Sequence, residues 1–387
     1  MILDDNKAQS RIRGDRLNKK QASVQRRDAT PRIKKQMATT NGNAQCNRAW
    51  ERLTEKNHCF IIAEAGSNHD GKLQRAKELV DVAAAAGADS VKFQFFKADK
   101  IAAETKHQIA KLPNGKTLHQ FYKDVETPRA WIPDLVKYCK SRNVLFFATP
   151  FDHEAVDLLD KAGVEMFKVA SFEIVDIPLL KKIAKTGKPI IISSGMADLE
   201  DIKDALDATA AEGNTQIVVL HCGINYPVPF NEVHLRAMDT IREKFHIPVG
   251  YSDHTAGITV PIAAVARGAQ VIEKHITLSR AMNGPDHFFA IEPDELNAMV
   301  RSIRECEQSL GSPEKKHTES EIIHFNRGRR SIFAAQNIKK GKILSMDDFA
   351  ILRPGVGIKP KFVYEFIGKK AKKYVGMHEP IDWSLVK

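Results

Sequence analysis

Between Cys59 and Ile276 the chain repeats one pattern: a short run rich in β-branched residues, a turn, then a stretch with apolar residues at helical spacing. That alternation predicts parallel βα units. The apolar runs fall at Cys59–Ala65, Ser90–Phe95, Val144–Thr149, Met166–Ala170, Pro189–Ser193, Gln216–His221, Ile247–Ser252 and Gln270–Ile276. Helical stretches follow them, among them Lys72–Ala86, Leu199–Glu212 and Pro293–Leu310. Eight such strands with outer helices predict an α/β fold of the (β/α)8 or TIM-barrel type, which takes roughly 250 residues. A doubly wound sheet is the runner-up, but it needs no eighth strand and brings a Gly-rich dinucleotide fingerprint that is absent here.

Two departures from the rhythm set the remaining organisation. Residues 97–127, with Asn114-Gly115 at a turn, are too long for one crossover helix and predict an inserted loop over the barrel mouth. After Leu310 the chain turns to Gly, Pro, Lys and short apolar runs, which predicts a small, mainly β domain. The expected division is a basic, disordered extension over 1–56, the barrel over 57–312, a linker over 313–328 and the small domain over 329–387.

Composition narrows the class. The 387 residues are 43% hydrophobic, enough for a real core. No run reaches the roughly 18 apolar residues of a membrane span, and the first residues lack a secretory h-region, so a cytoplasmic protein without membrane contacts is expected. The five cysteines are odd in number and never spaced C-x-x-C, which predicts free thiols. The net charge of +11 suggests nucleic acid until it is localised: residues 1–56 hold 14 Lys and Arg against 6 Asp and Glu, so +8 belongs to the extension. Nucleic-acid binding is therefore not expected beyond weak contacts of residues 1–56.

In a barrel of this kind reactive groups stand where strands end. Alternation puts Phe60, Ile62 and Glu64 on one face of the first strand, Lys92 and Gln94 on the second, Met166 and Lys168 on the fourth, Gly250 and Ser252 on the seventh with His254 continuing, and Glu273 and His275 on the eighth. His254 and His275 end adjacent strands about 4.8 Å apart, so both can reach one divalent ion, Mn²⁺ before Mg²⁺. Lys92 and Lys168, with hydroxyls at Thr149, Ser171, Ser193 and Ser194, read as a seat for phosphate and carboxylate. Ser193-Ser-Gly-Met196 precedes a helix whose free N–H groups favour anions. The competing readings are ion pairing of the lysines to Glu64, Glu173 or Glu273, and hydrogen-bonded structural histidines. Glu173, past the fourth strand, is placed to bond sugar hydroxyls or move protons.

These residues sit in Ile62-Ala-Glu-Ala-Gly-Ser-Asn-His-Asp-Gly71, Val91-Lys-Phe-Gln94, Ala148-Thr-Pro-Phe151, Lys168-Val-Ala-Ser-Phe-Glu173, Ser193-Ser-Gly-Met196, Gly250-Tyr-Ser-Asp-His-Thr255, Glu273-Lys-His275 and Gly284-Pro-Asp-His287. Together they resemble the sialic acid synthase family, and Arg329-Arg-Ser-Ile-Phe-Ala334 with Arg353-Pro-Gly355 resembles its small antifreeze-like (SAF) domain. The resemblance implies condensation of phosphoenolpyruvate with an N-acylated amino sugar, with Mn²⁺ or, as alternatives, Mg²⁺ or Co²⁺, in a homodimer that swaps its SAF domains. By motif it implies Glu64, Glu173, His254 and His275 as catalytic residues, with His254 and His275 holding the metal. It implies Lys92, Thr149, Lys168, Ser171, Ser193 and Ser252 for phosphoenolpyruvate. Gln94, Tyr226, Asp286 and, from the partner, Arg330 fall to the sugar. The sugar itself stays open among sialic, legionaminic and pseudaminic precursors. Two other classes remain beside it: a Schiff-base aldolase using Lys92 or Lys168, and a binding protein acting through its basic arm.

Overall fold

The computed structural model describes residues 44–104 and 115–387, and the chain divides into two units at Leu310 and Gly311. In the first unit eight parallel strands close into a barrel in chain order, the TIM-barrel topology: β1 Phe60–Gly66, β2 Ser90–Phe95, β3 Leu145–Pro150, β4 Phe167–Val169, β5 Ile190–Ser193, β6 Ile217–Cys222, β7 Val249–Asp253 and β8 Val271–His275. Each lies within two residues of its sequence-predicted run, because β-branched and aromatic residues fill both faces of a buried strand.

One helix precedes the barrel, α1 (Ala44–Leu53), and those between the strands are α2 (Leu73–Ala86), α3 (Ala98–Ile101), α4 (Leu118–Asp124), α5 (Ile132–Ser141), α6 (His153–Lys161), α7 (Ile177–Ala184), α8 (Leu199–Ala211), α9 (Ala237–Phe245) and α10 (Thr259–Ala266); α11 (Pro293–Leu310) closes the unit. Aspartates start three of these helices: Asp152 accepts from the Ala155 N–H, Asp176 from Leu179, and Asp198 from Glu200 and Asp201. Apolar residues on the outward strand face and the inward helix stripe form the main core. No helix among the described residues is long and apolar enough to cross a membrane.

Two expectations need correction. The extension over 1–56 was expected to be disordered, yet α1 lies within it. Ala49 and Leu53, four apart and therefore on one helix face, are fully buried against Phe60, Ile62, Phe147, Met166, Ile191, Val218, Leu220 and Val271. These are the lumen residues at the start of the strands, so α1 seals the barrel floor. The expected linker over 313–328 also carries structure: α12 (Glu319–Gly328) begins at Thr318 with reciprocal hydrogen bonds to Glu321. Residues 1–43 and 105–114 lie outside the described part, so only the flanks of the inserted segment, α3 and α4, are placed.

The second unit has its own small core of Ile332, Ala334, Ile338, Leu344, Phe349 and Phe366 among others. Its strands β9 (Ser331–Ala334) and β10 (Phe349–Leu352) pair antiparallel, Phe349 opposite Ala334. The remainder is turns and short helical pieces tied by backbone bonds such as Ile338 with Val375.

Candidate active site

Strand alternation fixes what faces the lumen. Below, apolar side chains meet α1; above, the inward positions turn polar: Glu64, Lys92, Thr149, Lys168, Ser193, Ser252, Glu273 and His275, every one of them buried. Register brings them side by side, since Glu64 is paired with Lys92 on β2 and His275 on β8, and Ser252 with Glu273.

The result is a network of two acids and two lysines. Lys92 Nζ lies 2.7 Å from Glu64 Oε2 and 3.7 Å from Glu273 Oε2, and donates to Thr149 Oγ1 at 3.1 Å. Lys168 Nζ lies 3.6 Å from Glu273 Oε1 and donates to Ser193 Oγ at 2.6 Å. The Ser252 hydroxyl donates to Glu273, and the Gln94 amide to Glu64 Oε1 at 2.7 Å. Burial opposes every one of these charges, and the outcome differs by position. Glu273 is pushed up by burial, but Lys168 and Lys92 outweigh it and hold the carboxyl below its usual range. Glu64, with one lysine and with Glu273 nearby, ends raised by its burial. For Lys92 burial is overcome by Glu273 and Glu64, while for Lys168 burial prevails and lowers it.

Above this floor opens a cavity of about 490 Å³ at the C-terminal ends of the strands. Lys92, Gln94, Lys168, Ser171, Glu173, Ser193, Tyr226, Ser252, His254, His275 and Asp286 all line it. Glu64 and Thr149 are buried and do not line it, but both touch Lys92 Nζ, which does. Arg330 stands exposed on the second unit. Wider grooves of about 760 and 730 Å³ on the outside of the unit collect neither carboxylates beside lysines nor paired histidines.

The two histidines face each other with ring centroids 5.3 Å apart. His254 Nδ1 bonds Gly223 O at 2.6 Å, which fixes the proton on Nδ1 and leaves the Nε2 lone pair free. His275 is neutral, burial and then His254 holding it well below its usual range, and its Nδ1 is buried without a hydrogen-bond partner. Burial lowers His254, but Cys222, its Sγ 3.7 Å from Nδ1, and the Gly223 carbonyl outweigh it and raise the imidazole above its usual range, so of the pair it is His275 that burial keeps neutral. Ring nitrogens without a protein partner suit a metal ion, and the chemistry of this donor pair fits Mn²⁺ or a similar divalent cation. Among the described residues no third His, Cys, Asp or Glu completes a cage, so water or substrate oxygen would fill the other positions.

The rim is aromatic and acidic. Tyr226 lies over His254 at 4.4 Å and Phe289 over His275 at 5.0 Å. The inserted segment contributes Ile101, Phe121, Tyr122 and Val125. Burial pushes the Glu173 carboxyl up to about 7, and its Oε2 is buried without a partner. Asp286 Oδ2 accepts from the Ser67 N–H at 3.0 Å and is raised by burial. Behind it His287 bridges Thr277 Oγ1 at 2.6 Å and Asp70 at 3.1 Å, which fixes the loop that carries Asp286.

One sequence expectation fails here. The Ser193–Met196 turn does not present free N–H groups at a helix end: Ser194 N donates to Leu220 O, Gly195 N to Ser171 Oγ, and α8 begins only at Leu199 under its own Asp198 cap. An anion at this turn would have to be met by side chains, not by a helix terminus. Sequence reasoning also passed over Glu273 as a site residue, reading it as a mere ion-pair partner although it shares its face with His275. Of the aromatic rim only Tyr226 was expected; Phe121, Tyr122 and Phe289 come from a short helix and a loop whose patterns do not reveal them.

The model of the NeuB family matches residues 79–315, and that of the SAF domain residues 329–387. The chain is 44% identical over 320 residues to N,N'-diacetyllegionaminic acid synthase of Campylobacter jejuni, covering 81% of this chain and 96% of that protein. It is 36% identical over 334 residues to human N-acetylneuraminate-9-phosphate synthase, covering 85% and 92%. Among solved structures, N-acetylneuraminic acid synthetase from Leptospira borgpetersenii serovar Hardjo-bovis matches with a TM-score of 0.63 at 35% identity, covering 69% of this chain and 90% of that one.

Proposed function

Because this chain belongs to the NeuB family, we propose that it condenses phosphoenolpyruvate with an N-acylated amino sugar to a nine-carbon 2-keto-3-deoxy acid and inorganic phosphate. What supports the reading above all is a single cavity in which two buried lysines with hydroxyl partners lie below a facing pair of histidines. A substrate with both phosphate and carboxylate needs fixed cations and donors shielded from water. Lys92, Lys168, Ser171, Ser193 and Ser252 supply these, and Thr149 orients Lys92. Glu273 spaces the two ammonium groups, which would otherwise repel each other.

His254 and His275 would hold the divalent ion, Mn²⁺ first with Mg²⁺ or Co²⁺ as alternatives, and when bound it supplies Lewis-acid polarisation of the sugar aldehyde. C3 of the enol forms the new bond to the aldehyde carbon, whose oxygen takes a proton. Water adds at C2, with Glu64 placed to hold or move its proton. The C2–O bond to phosphate then breaks, leaving the keto group. Tyr226, Asp286, Gln94 and Glu173 face the sugar, Glu173 able to donate from its neutral form. We assign Arg330 to the N-acyl group across a domain-swapped homodimer.

The test is phosphate release from phosphoenolpyruvate by metal-stripped protein, with and without Mn²⁺, across N-acetylmannosamine, its 6-phosphate and the two diacetamido-trideoxyhexoses. The relatives' names differ in the sugar, so the panel spans them. Metal-dependent release with one sugar is expected, and silence with all of them from folded protein refutes the reading. Borohydride-trapped adducts at Lys92 or Lys168, formed without metal, would move the aldolase reading to the front. Arg330→Ala raises KM for the sugar and leaves that for phosphoenolpyruvate; unchanged sugar kinetics remove Arg330 from the pocket.

A further inference from the structure

Both histidines follow a residue of opposite charge that points the other way: Asp253 precedes His254 and Lys274 precedes His275. Asp253 and Lys274 are direct register partners of the parallel pair β7 and β8, on the faces turned away from the lumen. Their side chains meet there, Lys274 Nζ 2.5 Å from Asp253 Oδ2, each about 1% exposed. Lys274 also donates to Thr255 O, and Asp253 Oδ1 accepts from the Thr255 N–H at 2.9 Å. The three contacts therefore tie the end of β8 to the strand end of β7 and to the first turn beyond it, on both sides of His254 in sequence.

We propose that the Asp253–Lys274 pair is a positioning clamp that sets the gap between the two metal-holding imidazoles; this rests on the function proposed above. An ion pair costs desolvation, and burying one on the outer face of a barrel strand gives no stability that apolar residues would not match. What it does give is direction. A lysine with three donors and a carboxylate with two acceptors fix strand against strand at the one rung before both ligands. His254 is latched independently from β6 through Gly223 O, whereas His275 has no hydrogen bond from its own Nδ1 and depends on its backbone for placement. Groups that orient metal ligands are typically worth 10- to 100-fold in metal affinity.

Mn²⁺ binding to stripped protein, read by the electron-paramagnetic-resonance signal of free Mn²⁺, tests this without turnover. Lys274→Met leaves Asp253 charged and buried, which is strongly destabilising, so the decisive variant is the double replacement Asp253→Asn with Lys274→Met, which removes both charges at similar volume. The control is Arg304→Met, which breaks the Arg304–Asp89 pair (2.8 Å) at the opposite end of the barrel. The double variant is expected to weaken Mn²⁺ about 10- to 100-fold, Lys274→Arg to restore most of it, and Arg304→Met to lower thermal stability with Mn²⁺ affinity within twofold. Affinity unchanged in the double variant, or reduced equally by Arg304→Met, overturns the clamp. If the unaltered protein takes up no divalent ion at all, the metal assignment itself fails, a result distinct from failure of the clamp.

Discussion

Two glycines, Gly66 at the end of β1 and Gly71 on the loop after it, separate backbone strain from a collision in the site. Gly66 and Gly71 both have positive φ, +52° and +68°, where an L side chain is disfavoured by about 1–2 kcal/mol. A Cβ at Gly71 would meet nothing within 4 Å. A Cβ at Gly66 would stand 2.6 Å from Asp286 Oδ2 and 3.2 Å from His275 Nδ1. To reach ordinary contact at 3.4 Å or more, the Asp286 carboxylate must retreat by most of an ångström. It cannot do so without losing the Ser67 N–H, and His275 cannot yield because Phe289 is packed on its ring. A displacement of about 1 Å in a reacting constellation costs about 10²-fold. Gly71→Ala is therefore expected to lower the melting temperature with kcat/KM for the sugar within threefold. Gly66→Ala should lose about 10²-fold on top of the same strain. Phosphate release and thermal melts on both variants give the comparison. Kinetics of Gly66→Ala within threefold of Gly71→Ala would refute the placement of Asp286 and His275 against Gly66.

Glu64→Gln and His275→Ala should each abolish turnover with the melt of the barrel retained, and near-normal activity in either purified variant would undo the proposed site. Glu173, with its pKa near 7 set by burial, should give a pH–rate step around neutrality that Glu173→Gln removes; a step that survives belongs to another group. The sign for stability follows from the same shift. The folded state binds this proton more tightly than the unfolded chain, so the contribution of this group to stability is fully present below the ordinary carboxyl value of 4.5 and is lost as pH rises through about 7. The Gln variant should flatten that fall in denaturant titrations across the window. Leu53→Ala, at a fully buried position of the floor helix, should cost about 2–5 kcal/mol in chemical denaturation, and a cost under about 1 kcal/mol would mean that α1 is not part of the cooperative unit.

Much of this architecture is legible because a barrel obeys a period of two. Once the strands are found, alternation alone puts Glu64, Lys92, Lys168, Glu273 and His275 on one face, and the structure places them there. Partnership is less legible than facing. That Lys92 touches Glu64 more closely than Glu273, or that Ser194 and Gly195 spend their N–H groups internally, depends on side-chain placement that no pattern encodes. Asp253 and Lys274 alternate outward, where a charge ordinarily means a solvated face, and only the packed structure shows them sealed. The floor helix escaped notice for a related reason: ten residues carrying two buried anchors give too brief a stripe to stand out beside a strongly basic segment.

That helix also divides the barrel into two unlike ends. At the C-terminal ends of the strands the cavity is lined by polar groups, whereas the end where the strands start is apolar and lies under α1. Cutting the chain between Leu53 and Phe60 would uncover an apolar disc of lumen side chains, turning the same end into a site of self-association.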